Sequence, residues 1–248
     1  MGIGTKYGIT ASTGNNIQTD GLVAYWDAAY KKSYTTGSLP PSTFNLASGS
    51  LTPTGSLKND TTFTTQPISA SCWVFDGVDD YIILESNSSL YPGTGDMSYS
   101  LWIKPDSITG THKVIFGPPT LGTGNKAVDI RRLTDTIKVY VGVGVGGTWG
   151  LEFNSTSVLS VGVWYHIALT LDRDGNGVIY VNGSADATSA MNPLYSGTDI
   201  TAAANLQIGG AADGDFEGQI ASLQIYNRVL SLGDVLQNYN AQKDRFGY

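Results

Sequence analysis

Three groups of side chains in this chain have the types and spacing to do chemistry. The first is acidic. Asp172-Arg173-Asp174-Gly175-Asn176-Gly177 puts oxygen ligands at positions one, three and five of a calcium loop and glycine at position six. Position twelve, where a bidentate Glu belongs, is Gly183, and the flanks alternate like strands rather than helices. The segment therefore reads as a hairpin turn, with Asp, Asn and Gly supplying unusual backbone angles. Two further acidic loops are Asp76-Gly77-Val78-Asp79-Asp80 and Asp213-Gly214-Asp215-Phe216-Glu217. Hard cations take several carboxylate and carbonyl oxygens at about 2.4 Å. Asp79, Asp213 and Asp215 are thus the candidate metal ligands, calcium is the cation they would suit, and no other cofactor is expected.

The second group is the set of candidate nucleophiles, bases and acids. The chain has one cysteine, Cys72, and two histidines, His112 and His166, too few for a zinc site. His166 lies inside an alternating apolar segment, where a histidine held by hydrogen bonds within a sandwich is expected. Glycosidases of sandwich fold need two carboxylates close together. Glu152 and Asp129 fall on expected strands, but no Glu-x-Asp-x-Glu pattern pairs them. No residue is assigned a catalytic role. Val141–Gly147, rich in glycine, is not a phosphate loop, because no helix follows it. It reads as a strand whose glycine face lets another backbone come close.

The third group is aromatic. Tyr30, Trp149 and Tyr195 sit in or beside expected loops and edges, where such rings stack on sugars or anchor interfaces. They are the candidate ligand-binding residues. Trp26, within Leu22-Val-Ala-Tyr-Trp26, reads as core.

The elements that must position these groups are strands. Apolar residues alternate over 98–104 (Tyr99, Leu101, Ile103), 139–145 (Val139, Val141, Val143, Val145), 164–171 (Tyr165, Ile167, Leu169, Leu171) and 220–227 (Ala221, Leu223, Ile225). Period two with one apolar face describes a strand packed on one side. Several such strands split by Gly/Asn/Asp turns indicate an all-β, two-sheet antiparallel jelly-roll sandwich. One short C-terminal helix is expected from Ser231, its cap, to Ala241. Residues 31–70, rich in Ser, Thr, Pro and Gly, read as long loop with one short strand. Residues 1–20, polar and Gly-rich, read as a flexible N-terminal arm, and 21–248 as the sandwich.

Composition narrows the function classes. A net charge of −7 with no basic patch excludes nucleic acid as the partner. No stretch is long and apolar enough for membrane insertion, and the N-terminus has no apolar run of signal-peptide length. Charged residues make up 14%, against about 25% in ordinary soluble domains, so Ser, Thr and Asn carry the solubility.

Several blocks in order carry a resemblance. They are Gly21-Leu-Val-Ala-Tyr-Trp-Asp27, Phe75-Asp-Gly-Val-Asp-Asp-Tyr-Ile82, Trp164-Tyr-His-Ile-Ala-Leu-Thr170, Val178-Ile-Tyr-Val-Asn-Gly183, Ile208-Gly-Gly210 and the run from Phe216 to Ser231. Together they resemble concanavalin A-like, laminin G-type jelly-roll domains over residues 20–241. That resemblance implies two packed antiparallel sheets and binding to glycans or proteins, often with calcium at one edge. Many members carry an Asp where this chain has Ala221. The arm before Thr19-Asp-Gly-Leu-Val23 and the ending Leu236–Tyr248 are similar to jelly-roll proteins encoded among structural genes of tailed bacteriophages. This implies a non-enzymatic phage virion surface protein: capsid decoration, head fibre or tail-fibre module. It would assemble in the host bacterial cytoplasm, sit on the virion surface as a homo-oligomer, and contact other capsid or tail proteins. A glycan-binding module for host surface polysaccharide is the alternative, and a glycan-cleaving enzyme of the same fold is the third reading.

Overall fold

The computed structural model describes residues 16–33, 42–47, 54–65, 71–120, 124–210, 212 and 214–248. Strands dominate these residues. In chain order they are β1 (Leu22–Asp27), β2 (Ser42–Phe44), β3 (Thr54–Lys58), β4 (Thr62–Thr65), β5 (Ser71–Asp76) and β6 (Tyr81–Leu84). Then follow β7 (Met97–Pro105), β8 (Lys113–Gly117), β9 (Lys126–Leu133), β10 (Thr136–Val143) and β11 (Trp149–Asn154). The last are β12 (Tyr165–Leu171), β13 (Asn176–Val181), β14 (Ser184–Ala190), β15 (Gln207–Ile208) and β16 (Glu217–Tyr226), before helix α1 (Leu232–Gln242).

The strands form two eight-stranded sheets. The first runs β14-β13-β12-β7-β16-β5-β4, with β1 also paired to β16; the second runs β11-β10-β9-β8-β15-β6-β3-β2. Ten-residue β16 serves two neighbours on one edge: Glu217–Ile220 pair with β5, and Ser222–Tyr226 with β1. This is the expected all-β antiparallel sandwich with one short C-terminal helix. Its core lies between the sheets, where Tyr99, Leu101 and Ile103 of β7 meet Val139, Val141 and Val143 of β10 and Ile167, Leu169 and Leu171 of β12.

Three local readings differ from the sequence pattern, each for a physical reason. Residues 42–65 hold three strands, not one, because Leu57 and Gly55 of β3 fit against Ile82 and Leu84 of β6. Those partners are remote in sequence. Val145 is 44% exposed, since β10 ends at Val143 and Gly144 turns away at φ +78°. In β16 a bulge at Ala221 shifts the register against β7 between Ile220 and Ser222. Ile220, Leu223 and Ile225 therefore face the core, while Ala221 joins Cys72 and Trp102 on the outer face.

The outer face of the first sheet is covered as well, so its central strands are not packed on one side only. Helix α1 starts at the Ser231 cap, whose side chain accepts the Asp234 amide while the Asp234 carboxylate accepts the Ser231 amide. The chain then lays Tyr239 and Phe246 over Trp102, with ring centroids at 5.8 and 4.1 Å. Arg245 closes the tail by a bidentate pair to Asp27 of β1, at 2.7 and 2.9 Å. Asp27 is 2% exposed, and its Oδ2 also accepts the Tyr25 hydroxyl at 2.6 Å. Of the segment expected as an arm, residues 1–15 lie outside the described residues. Gln18 sits on α1, its amide donating to Asn238 Oδ1 at 2.7 Å and its side chain to Asp234 at 2.6 Å, and Gln237 donates to the Asn16 carbonyl.

Removing one partner of a buried ion pair strands the other charge, at about 3–5 kcal/mol. Arg245→Met is expected to lose that much in urea unfolding. A loss below about 1 kcal/mol would mean the tail is not held by this pair.

Candidate functional site

The outer face of the second sheet holds the candidate site, and strand register builds it. Core-facing Ile137, Val139 and Val141 leave Lys138, Tyr140 and Gly142 of β10 facing outward. Tyr140 lies opposite Asp129 of β9 and Glu152 of β11, and Lys138 lies opposite Arg131 and Asn154. Gly142 lies opposite Trp149, where the β10–β11 register shifts. Its position admits only glycine, because a Cβ would stand 2.4 Å from the Asn125 carbonyl oxygen. The close backbone approach expected of the glycine-rich strand is found there.

Trp149 packs on Tyr140, centroids 4.8 Å apart and planes at 48°. Lys138 Nζ and Arg131 Cζ lie 5.1 and 5.8 Å from the Tyr140 ring centroid. His112 Nδ1 is 3.4 Å from the Tyr140 hydroxyl. Arg131 donates Nε and Nη2 to both oxygens of Asp129 at 2.8 and 2.9 Å, and Lys138 pairs with Glu152 at 2.8 Å. Burial, with Glu152 adding to it, raises the Tyr140 hydroxyl above its ordinary range, so it stays a protonated donor. Beside this platform a groove of about 350 Å³ runs between Asn125, Lys126 and Gly144 on one side and Thr201–Ala204 on the other. Together these provide a partly exposed indole, a buried phenol beneath it and paired charges around them.

Of the three aromatic candidates, Trp149 is part of this platform. Tyr195 sits on a neighbouring 3₁₀ turn, Pro193–Tyr195, capped by Asn192, whose amide donates to the Gly150 carbonyl at 2.8 Å. Arg173, buried, fixes that turn by donating to the carbonyls of Tyr195 and Thr198 at 2.9 and 2.8 Å. The Tyr195 ring packs partly on the core, and Leu194 beside it is 82% exposed. Tyr30 is elsewhere, packed with Ile17, Tyr25, Leu46, Ala47 and Ala241 on the first sheet's side. Tyr140, Arg131 and His112 were not singled out as ligand-binding residues from sequence. Only the alternation through Tyr140 could have placed it beside Trp149.

Among the acidic candidates, Asp79 clusters with Asp76 and Asp80 in the β5–β6 turn. Asp215 bridges to Val114 and faces that turn across Gly210, where an added Cβ would lie 2.6 Å from both Asp215 Oδ1 and the Asp80 carbonyl oxygen, and Asp213 is outside the described residues. Asp172–Asn176 forms the expected hairpin turn, with the Asp172 amide bonded to the Asn176 carbonyl at 3.1 Å. Asp129 and Glu152 flank Tyr140, yet each is engaged by its own cation. His166 Nε2 is 2.9 Å from Ser100 Oγ, but both are buried beneath α1 and its tail. Burial alone pushes His166 down to about 3 and is the main cause raising Cys72 to about 11. At neutral pH, His166 is a neutral structural imidazole and Cys72 an inert thiol.

A protein-family model described as the concanavalin A-like lectin/glucanases superfamily matches residues 76–236. A search of curated proteins finds no match to this chain. Among solved structures, the binding domain of Paraclostridial Mosquitocidal Protein 1 superposes with TM-score 0.69 at 13% identity, covering 90% of this chain and 52% of that one. The binding domain of botulinum neurotoxin DC, solved in complex with SialylT, gives 0.65 at 14%, covering 90% and 52%. This chain thus spans about half the length of those two. Domain 4 of AbnA, a GH43 extracellular arabinanase from Geobacillus stearothermophilus solved with arabinotriose, gives 0.63 at 18%, covering 88% and 98%. At these identities the likeness establishes the fold.

The buried histidine makes stability depend on pH. Its folded-state value near 3 lies below the ordinary 6.5, so the unfolded chain binds a proton that the folded chain refuses between those values. The contribution is complete above pH 6.5 and is lost as pH falls toward 3, at up to about 1.4 kcal/mol per pH unit. His166→Phe, which keeps a ring against Trp102, is expected to flatten the acid limb of stability measured by urea unfolding from pH 7 to 4. Equal slopes in the two proteins would refute it.

Proposed function

The chain belongs to the concanavalin A-like lectin/glucanases superfamily, and on that premise we propose that it is a non-enzymatic carbohydrate-binding sandwich whose ligand lies across Trp149 and Tyr140. The observation that carries this reading is the Trp149–Tyr140 pair on the outer face of the second sheet, with the Arg131–Asp129 and Lys138–Glu152 pairs beside it. A sugar offers an axial C–H face that stacks on an indole, and hydroxyls that can donate to the exposed Glu152 carboxylate. The groove beside Gly144 gives room for further sugar units. Binding at such a site is weak per sugar, and avidity comes from repetition.

Three features support a role in binding rather than cleavage. Both carboxylates nearest the platform are paired with cations, Ser100 and His166 are closed off, and two of the superposing structures named above are binding domains. The setting proposed is the surface of a tailed-phage particle, with host polysaccharide as ligand and capsid or tail proteins as partners in a homo-oligomeric array. The similarity of the chain's two ends to phage structural proteins and its low content of charged residues support that setting.

Trp149→Ala is expected to weaken binding to host surface polysaccharide about 30-fold, the loss of a buried aromatic anchor worth about 2 kcal/mol, with an unchanged melting midpoint. Unchanged affinity would remove the platform from the reading. Immunogold labelling of purified particles tests the setting: label on head or tail is expected, and bare particles would leave a free glycan-binding module.

A further inference from the structure

The groove beside the platform carries a charge that nothing in the fold uses. Lys126 opens β9 opposite Val143, the last residue of β10, and the chain turns next at Gly144, φ +78°. A Cβ at Gly144 would stand 3.0 Å from both Cγ and Cε of Lys126, so the lysine stem lies across the glycine, and a side chain there would displace it. Lys126 is exposed and makes no hydrogen bond or ion pair among the described residues. The other cations of β9 and β10 are committed: Arg131 to Asp129, Lys138 to Glu152, and Arg132 to the carbonyls of Thr109 and Thr134.

The walls of the groove are fixed by the chain itself. Asn125 donates its side-chain amide to the Thr120 carbonyl at 3.1 Å, and its own carbonyl accepts the Gly144 amide at 3.1 Å. On the other side, Thr201 donates its amide and hydroxyl to Asp199 Oδ1 at 2.9 and 2.7 Å, and the Ala204 carbonyl accepts the Tyr91 hydroxyl at 3.0 Å. The amides of Ala202, Ala203 and Ala204 donate to nothing among the described residues. None of the described residues that line the groove is acidic. The Thr201 hydroxyl and amide hold the Asp199 carboxyl below its ordinary range, with Lys126 and Arg173 adding to the effect, yet Asp199 forms no ion pair with Lys126. The groove thus combines a free ammonium with spare amides and alanine methyls.

We propose that this groove seats an acidic sugar unit of the bound glycan, its carboxylate or sulfate set against Lys126. The inference rests on the sugar-platform reading above and names the class of glycan that reading leaves open. A neutral sugar brings hydroxyls, which donate as well as accept, and gives the ammonium no opposite charge. An anion brings acceptors alone and the charge to match. The chain carries a net charge of −7, so its overall field repels polyanions, and a preference for them has to arise at a local site. Lysine is a point charge on a flexible stem, which meets a single anion on a sugar ring without demanding a bidentate geometry. The aromatic pair then holds the ring faces of the glycan, and Lys126 selects its charge.

The test compares binding of the full chain to polygalacturonate and to the same polymer after carboxyl reduction. Hyaluronan and its reduced form make a second pair, and dextran sulfate against dextran a third, each at about 20 and about 300 mM NaCl. The wild type is expected to bind the acidic member of a pair about fivefold tighter at low salt, with the gap narrowing at high salt. A preference in the first two pairs assigns the anion as carboxylate, and one confined to the third assigns it as sulfate. Lys126→Met keeps the stem over Gly144 and removes the charge. It should melt as the wild type does and close the gap to about twofold or less. Trp149→Ala should weaken binding to both members of a pair. Equal wild-type binding within every pair, or a gap that survives in Lys126→Met, would overturn the acidic class and leave the platform standing. Binding to none of the polymers would remove the platform, and this inference with it.

Discussion

The fold depends on the need to cover both faces of the first sheet. β7, β12 and β16 are buried along nearly their whole length, and half of their side chains point away from the inter-sheet core. Those outward residues include Trp102, Ser100, His166, Ser222 and Gln224, which could not remain in this sheet without a lid. The lid is α1 and its tail, and Arg245 on Asp27 is the latch. Two of the polar groups beneath it are met from the lid itself: Gln242 Oε1 lies 3.3 Å from both Ser222 Oγ and Gln224 Nε2, while Ser100 and His166 meet each other and Trp102 Nε1, His166 Nδ1 and Gln224 Oε1 are buried without a hydrogen bond. The lid thus supplies hydrogen bonds to this face as well as burying its rings.

The second sheet builds its surface differently, with an ion pair buried inside it. Asp129 and Arg131 are 0% and 4% exposed, and their bidentate pair lies beside Tyr140, with Arg131 Cζ over its ring. The platform is set by main-chain register and by charge pairing, not by long free side chains. Side chains held in this way have little rotamer entropy left to lose. The adjoining turns are fixed in the same way, by Arg132 to the carbonyls of Thr109, Gly110 and Thr134, and by Arg173 to those of Gly93, Tyr195 and Thr198. In both cases a buried arginine on a strand or hairpin disciplines a loop through its carbonyl oxygens.

The sandwich was legible in the sequence wherever one strand carried its own pattern. Tyr99-Leu101-Ile103, Val139-Val141-Val143 and Ile167-Leu169-Leu171 all face the core as their alternation says. Ser231 caps the helix that its spacing announces. What stayed hidden depends on pairing. β2, β3 and β4 exist because remote strands receive them, and the bulge at Ala221 turns one residue of β16 to the other face. Trp149 could be picked out as an aromatic in a glycine-rich turn. Its partner Tyr140, nine residues back, is joined to it only by the β10–β11 register. Asp79 was visible as part of an acidic run, but the burial of Asp80 beside it is a fact of packing that no spacing encodes.

The hold of Asn16 and Gln18 on α1 gives the domain a polarity. The first described residues and the tail share one side, over the lid of the first sheet, with Gln237 bonded to the Asn16 carbonyl and Gln18 to Asn238. The Trp149–Tyr140 platform lies on the far side of the sandwich, beyond two layers of strand. The main chain therefore enters the described domain at residue 16 on the side opposite the aromatic pair, so the first described residues and the Trp149–Tyr140 pair are separated by the full thickness of the sandwich.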